Sequence, residues 1–541
     1  MDTLSQDLGL GGHGSSILSI FGFTVSYALF VAIYRVTFHP LAKYPGPFLS
    51  KLSGWPRFFL VQSGSRHLET WKQHEIYGPI VRIGPNEVSI NTVAGLKGIY
   101  GSRKCNTQKS DWYNTVVVAA RGPSTHSIVD RQRHAFRRRV LEHAFTEPAL
   151  ASAEVFIREN VQKWCKYLGD GASKVGEWTP PKNMGDWCTY LGYDIMGNLM
   201  FGKQFHCMES EEHRYVPGVM METTRTVYVL GYLPIIRLFR PILGSPVMGL
   251  IAGQMGRDSN RYLAYSHGQM AARIAAEGEN QESAQKDFCH YLLNAKDPET
   301  GQGFTTPELN ADSSLVISAG SDTSSLALAA TFFYLLHNPD TLTKLTDEIR
   351  SSFSSADQIN SKSLINLPYL RACLDEALRL SPPTPSVLPR EVLPGGLTVD
   401  EHYFPAGTVV GTSSYTIHRN TEYYPDPFAY RPERWIIDPS TADENDISSA
   451  ESVAKARSAF CAFSLGPRGC IGKKVAYNEM SNALAMLLLS HDLRLAPGAE
   501  TFGGGDPNDE HWGRRRVEEY QLREFFLSYR DGPKVEFRAR Q

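Results

Sequence analysis

Along most of this chain, apolar residues recur at a helical spacing of three to four, broken in a few places by short alternating runs. The pattern predicts a mainly α fold with small β-sheets, an α+β class. Residues 149–168, 313–337, 342–353, 367–380 and 473–489 carry the helical spacing. Residues 80–83 and 87–90 flank Gly84-Pro85-Asn86, a hairpin signature. A second strand pair is expected from 397–399 and 408–412 through Pro405-Ala406-Gly407, and a closing hairpin from 518–526 and 535–537 around Asp531-Gly532-Pro533. The Ser/Asp/Glu-rich stretch 439–452 reads as a surface loop, and no internal repeat stands out.

One apolar run differs in kind. From Ile17 to Tyr34 there is no charged residue, and as a helix the run reaches roughly 27 Å, close to the span of a bilayer. A cleaved secretory signal and a buried core helix are the alternatives, since Ser19, Thr24 and Ser26 dilute it. No Lys or Arg precedes the run, while Arg35, Lys43 and Lys51 follow it, so the positive-inside rule leaves the tail outside and the body in the cytosol. Then comes His39-Pro40-Leu41-Ala42-Lys43-Tyr44-Pro45-Gly46-Pro47, whose prolines forbid a helix and make a stiff elbow. The expected division is a lumenal tail (1–16), a transmembrane anchor (17–34), a proline-rich hinge (35–50) and a catalytic body (51–541).

Composition narrows the function classes. Of 541 residues, 42% are hydrophobic and 21% charged, so the bulk of the chain folds. With 55 basic against 57 acidic residues there is no global pull towards nucleic acid. The eight cysteines are dispersed and form no CxxC pair, which argues against a zinc ribbon, a thioredoxin-type pair and a secreted disulfide framework.

The strongest chemical signal is Phe463-Ser464-Leu465-Gly466-Pro467-Arg468-Gly469-Cys470-Ile471-Gly472, just before a helical run. Its five fixed letters, FxxGxRxCxG, arise by chance in roughly one chain in 10,000 of this size. It resembles the cysteine loop of the cytochrome P450 family, as does Ala319-Gly320-Ser321-Asp322-Thr323, which is similar to that family's AGx(D/E)T. Glu376 and Arg379 match its ExxR, and Arg431-Pro432-Glu433-Arg434-Trp435 resembles its PERF or PERW segment. These elements, together with the His134 and Arg138 pair four residues apart, stand in the family's order, and the resemblance runs from about Tyr34 to the end.

That resemblance implies a cytochrome P450 fold holding haem b, with Cys470 as the axial thiolate on iron and Phe463 beside it in the loop. Gly466 and Gly472 would let the backbone approach the flat macrocycle, and amides after Cys470 would bond the sulfur. Arg468, Arg138, His134 and Arg390 would hold the propionates; His134 stands where Trp is common elsewhere in the family. Asp322 and Thr323 would relay protons, with Gly320 opening space for dioxygen. Glu376, Arg379 and Arg434 would form a buried structural charge network. The substrate pocket would draw on 105–123, with Trp112 and Tyr113, on 315–319 and on 384–388.

The implied activity is a monooxygenase that puts one oxygen atom from O2 into an apolar small molecule, by hydroxylation or epoxidation. The elbow segment looks closest to fungal secondary-metabolism members. No GxGxxG opens a βαβ unit, so electrons would come from NADPH through a separate NADPH-cytochrome P450 reductase in the endoplasmic reticulum membrane, with cytochrome b5 as a second donor. Arg131, Arg133, Arg137 and Arg139, with Lys473 and Lys474, are expected to form a docking face for that acidic donor. Two rivals stand: a haem-thiolate isomerase or dehydratase, which tends to lack the acid and alcohol pair, and a non-catalytic haem carrier or sensor.

Overall fold

The computed structural model describes residues 10–119, 122–172, 174, 176–243, 245, 253–279, 286–441, 443, 446–540. Helices dominate, and the helix Thr306–His337 runs through the main core. It starts in a capping box, where Thr305 and Glu308 satisfy each other's backbone amides, with Pro307 in the first turn. It stops where Asn338-Pro339 begins the next helix, Pro339–Ser352. Three of the expected helices begin one to three residues from their anticipated starts at a proline, as Glu147–Gly169, Pro339–Ser352 and Pro368–Leu380. A first-turn proline costs no hydrogen bond, so it opens a helix as readily as it breaks one.

The helix Met184–Phe201 lies closest along this central helix, and two glycines set the approach. A Cβ on Gly320 would stand 2.6 Å from Met196 Sδ, and one on Gly192 would stand 2.9 Å from the Ser321 carbonyl oxygen. The missing side chain of Gly320 makes room for Met196 of the neighbouring helix.

The main sheet joins distant parts of the chain. Ile80–Gly84 pairs with Glu87–Ile90 as a hairpin, as the pattern predicts. Val409–Gly411 then inserts between Glu87–Ile90, to which it is parallel, and Arg390–Val392, to which it is antiparallel; Thr107–Lys109 forms the far edge. The expected pairing of 397–399 with 408–412 does not form. Asp400 and Glu401 both take positive φ, 47° and 63°, and this two-residue turn folds Leu397–Val399 back onto His402–Phe404. Nor is there a single closing hairpin. Phe526, at φ 74°, turns Arg523–Phe525 onto Leu527–Tyr529, while Lys534–Ala539 pairs with His491–Leu495 and with Lys182–Asn183. The end of the expected surface loop opens the helix Ala450–Ala459, capped by Ser449.

At the other end, the helix Leu10–Ile33 continues into a wide π-turn, Tyr34–Phe38. The stretch Ser19–Phe38 has a mean hydropathy of 1.5 and is 0% buried, long and apolar enough to cross a membrane. The elbow after it packs on the body. Leu41 and Tyr44 are buried, Tyr44 stacks on Phe404, and Arg82 donates to the Arg35 and Pro85 carbonyls.

Candidate active site

Residues 460–472 link the helices Ala450–Ala459 and Lys473–Ser490 in a tight loop. The Cys470 amide donates to the Phe463 carbonyl at 2.9 Å and the Gly469 amide to that of Gly466 at 2.9 Å. Gly466 takes φ 64°, and a Cβ there would collide with the Tyr100 carbonyl, so neighbouring backbone already demands this glycine. Gly472 differs: its φ is an ordinary −82°, and the nearest protein atom to a Cβ would be 3.8 Å away. Phe463 tilts against Tyr477, centroids 5.1 Å apart.

The Cys470 side chain has free surface, yet the surrounding protein desolvates it and pushes its thiol up from the ordinary value. The backbone amides of Gly472 and Lys473 and the charges of Arg138 and Lys473 favour its anion against that burial. On the central helix, Ala319 is likewise the one exposed residue between 311 and 337.

Cations converge beside the loop. Arg468 donates to the Ile128, Val129 and Asp130 carbonyls at 2.5, 2.9 and 3.3 Å. Arg138 reaches the Gly469 carbonyl at 2.8 Å and pairs with Glu142. Arg390 is buried against the Tyr100 ring and within 3.4 Å of the Tyr113 hydroxyl. A further member that no motif marked is Lys109, which is buried over the Tyr113 ring and donates to the His126 carbonyl. Among the described residues, Lys109, Arg390 and Arg468 have no carboxylate partner; the Asp130 carboxylate caps a helix at the Arg133 amide. Burial, then Arg390, hold Arg468 down at about 10. Burial, then Arg468, Lys109, Arg138 and Arg390, hold His134 at about 2, so it is neutral. Buried cations without anions are unstable by several kcal/mol. Two carboxylates on a flat group bound at the sulfur would answer them, so these residues fit a haem.

Asp322 and Thr323 are neighbours on the central helix but do not bond each other. The Thr323 hydroxyl donates to the Ala319 carbonyl at 2.7 Å, while Asp322 is buried on a side that faces Tyr193 and Arg530. Burial raises the Asp322 carboxyl to about 7, against the pull of Arg530.

Glu376, Arg379 and Arg434 meet in the core. Arg379 grips both Glu376 oxygens at 2.8 Å, Arg434 Nε donates to Oε1 at 2.9 Å and Trp435 Nε1 to Oε2 at 3.0 Å. Arg379 also donates to the His418, Pro427 and Ala429 carbonyls. Burial alone would raise the Glu376 pKa; the two guanidiniums outweigh it and hold it at about 2.

The basic cluster is smaller than its sequence. Arg137 is fully buried, bound to Asp312 and the Pro123 and Glu308 carbonyls, and Arg139 pairs with Asp297 and Glu299. Both are removed from the expected docking face; alternate helix faces point inward. Arg131, Arg133, Lys473 and Lys474 remain exposed, Lys474 paired with Glu147. Trp112, Thr384, Ser386, Val387 and Leu388 come together with Tyr228, Tyr232, Glu524 and Phe526 around a gap too small for a substrate, and residues 315–319 do not line it. Tyr228, Tyr232, Glu524 and Phe526 come from a helix and a C-terminal strand pair that no motif marked.

The comparisons with known proteins agree with this geometry. The sequence model of the family described as Cytochrome P450 matches residues 45–501. The "Cytochrome P450 monooxygenase fscF" of Fusarium equiseti is 37% identical, covering 99% of this chain and 98% of its own. The "Cytochrome P450 monooxygenase AKT7" of Alternaria alternata is 34% identical, covering 95% and 96%. Among solved structures, the cytochrome P450DA heme domain shares the fold at a TM-score of 0.67 and 17% identity, over 88% of this chain and 94% of that one. With the loop, the cation cradle and the charge network in place, the chain belongs to the cytochrome P450 family.

Proposed function

We propose that this chain is a membrane-anchored haem-thiolate monooxygenase that inserts one oxygen atom from O2 into an apolar small molecule. The observation that carries the reading is the Cys470 side chain, exposed yet desolvated, beside buried cations that lack carboxylates. A haem bound there would supply the iron that activates dioxygen, with thiolate donation favouring O–O cleavage. Cys470 would hold the metal, and Arg468, Arg390, Arg138, His134 and Lys109 the propionates. Ala319, small and exposed, would leave room beside the haem, and Thr323 and Asp322 would deliver protons there.

The anchor reading places 1–16 in the lumen, 17–34 across the endoplasmic reticulum membrane, 35–50 as the hinge and 51–541 as the catalytic body in the cytosol. It is supported by the bare apolar helix and the basic residues that follow it. Electrons would come from NADPH through a separate reductase. The similarity to fungal monooxygenases favours a role in fungal secondary-metabolite biosynthesis. The test is spectroscopic: the reduced, carbon monoxide-treated protein should show the long-wavelength Soret band of a thiolate ligand, lost in Cys470→Ser. A Soret band at the histidine-ligated position in the unaltered protein would overturn the reading.

A further inference from the structure

Behind the central helix lies a buried polar layer that the motifs do not account for. The Tyr193 hydroxyl faces the Asp322 carboxylate, and Ser321 Oγ and Arg530 Nε are buried without a protein hydrogen-bond partner. Arg530, in the segment between the strands Leu527–Tyr529 and Lys534–Ala539, donates through Nη2 to Ser325 Oγ at 2.6 Å and to Thr189 Oγ1. Ser325 Oγ in turn donates to the Ser321 carbonyl at 2.6 Å, one helical turn back beside Asp322. Thr189 lies one turn along its helix from Asp186, which is exposed and within electrostatic reach of Arg530. The groups facing Asp322 are Tyr193, Tyr262, Tyr529 and Arg530, of which Arg530 is the one cation. Buried polar atoms that converge without protein partners are satisfied by internal water.

We propose that Arg530 is the positioning residue for Asp322, and that protons reach Asp322 from solvent on the Asp186 side through the polar layer that Arg530 organises. Arg530 does not itself carry the proton, because a guanidinium does not give one up. It holds Ser325 and Thr189 in place and orders the water between them and the acid. Each proton that Asp322 releases inwards is replaced by one taken from solvent water at Asp186, and no electron moves. Arg530 also offsets the burial of Asp322; without it the carboxyl would stay protonated near neutral pH and could not cycle.

The inference rests on Asp322 as the proton donor, and its test needs no turnover. In the ferric holoenzyme, the infrared carboxylic C=O band that disappears in Asp322→Asn is followed through a pH titration and through transfer into D2O. Arg530→Met should raise the midpoint of that band by about one pH unit, a tenfold change in proton affinity, and slow its deuterium shift by about tenfold. Arg530→Lys, which keeps the charge and guards against a folding defect, should restore most of the midpoint. Asp186→Asn should slow the exchange and leave the midpoint near that of the unaltered protein. An unchanged midpoint in Arg530→Met, or unchanged exchange in both Arg530→Met and Asp186→Asn, would overturn the proposal. The iron ligand is read separately by the carbon monoxide spectrum, so either result can fail alone.

Discussion

The Arg138 guanidinium donates to the Gly469 carbonyl at 2.8 Å, which ties the helix Arg131–Glu142 to the residue just before Cys470. The same side chain reaches Glu142 at 2.9 Å, so one fork serves both. Arg138→Met should lose a charge-assisted bond of about 1.5–3 kcal/mol, seen as faster haem transfer to an acceptor protein with the thiolate Soret band retained. Arg138→Lys should recover little, because a point charge cannot serve both partners in the fork's geometry.

The Glu376 network gives a pH dependence with a definite sign. Its carboxyl sits at about 2 in the folded chain against 4.5 ordinarily, so its contribution is fully present above 4.5 and is lost as pH falls towards 2. That shift corresponds to about 3 kcal/mol. Urea unfolding at a series of pH values should show this decline, and Glu376→Gln should flatten it. The same variant leaves two guanidiniums without their anion and should cost about 3–5 kcal/mol at neutral pH, with low haem content.

Gly320→Ala tests the packing role of that glycine. The new methyl meets Met196 Sδ, Cε and Cγ at 2.6, 2.9 and 3.1 Å, an overpacking of about 1–3 kcal/mol against a helix-propensity gain of about 1 kcal/mol. A Tm lowered by a few degrees is expected, with the carbon monoxide spectrum unchanged. Combining it with Met196→Val should yield less destabilisation than the two single changes summed.

Lys109→Met should act with opposite signs on the two forms of the protein. In the haem-free chain it removes a buried cation that lacks an anion, and the urea midpoint should rise. In the loaded protein it removes a propionate partner, and haem affinity should fall by about tenfold, or about 1.4 kcal/mol. Equal shifts of the two forms would assign Lys109 to packing alone.

On the remaining basic face, Arg133→Glu with Lys473→Glu should slow reductase-driven turnover more than peroxide-driven turnover, and salt should narrow the difference. Arg137→Glu should instead destabilise the fold, because its partner Asp312 is buried with it.

The site was legible where its parts are local. The Cys470 loop is one stretch of chain, and Glu376 and Arg379 share one helical turn, so spacing alone exposes them. What stayed hidden depends on distant pairing. Lys109 becomes an unmatched cation only when its strand lies against Arg390–Val392, and Arg530 meets Asp322 only through the C-terminal fold. The helices followed their apolar spacing. The strands at 397–412 did not, because the turn is made at Asp400-Glu401, where a Glu takes a positive φ that sequence does not announce, while Pro405-Ala406-Gly407 carries the stronger turn signal. Arg137 and Arg139 show the limit of reading a charge run: on a helix its members point in different directions.

The parallel pairing of Glu87 with Val409 sets an order on biosynthesis. A ribosome adds about 5–20 residues per second, so the early hairpin waits roughly tens of seconds for its third strand. During that wait its open edge is available to any other chain nearby. Chaperone supply, more than final stability, should therefore govern how much of this protein a foreign host can accumulate, and cooler, slower expression with added chaperones should raise the yield.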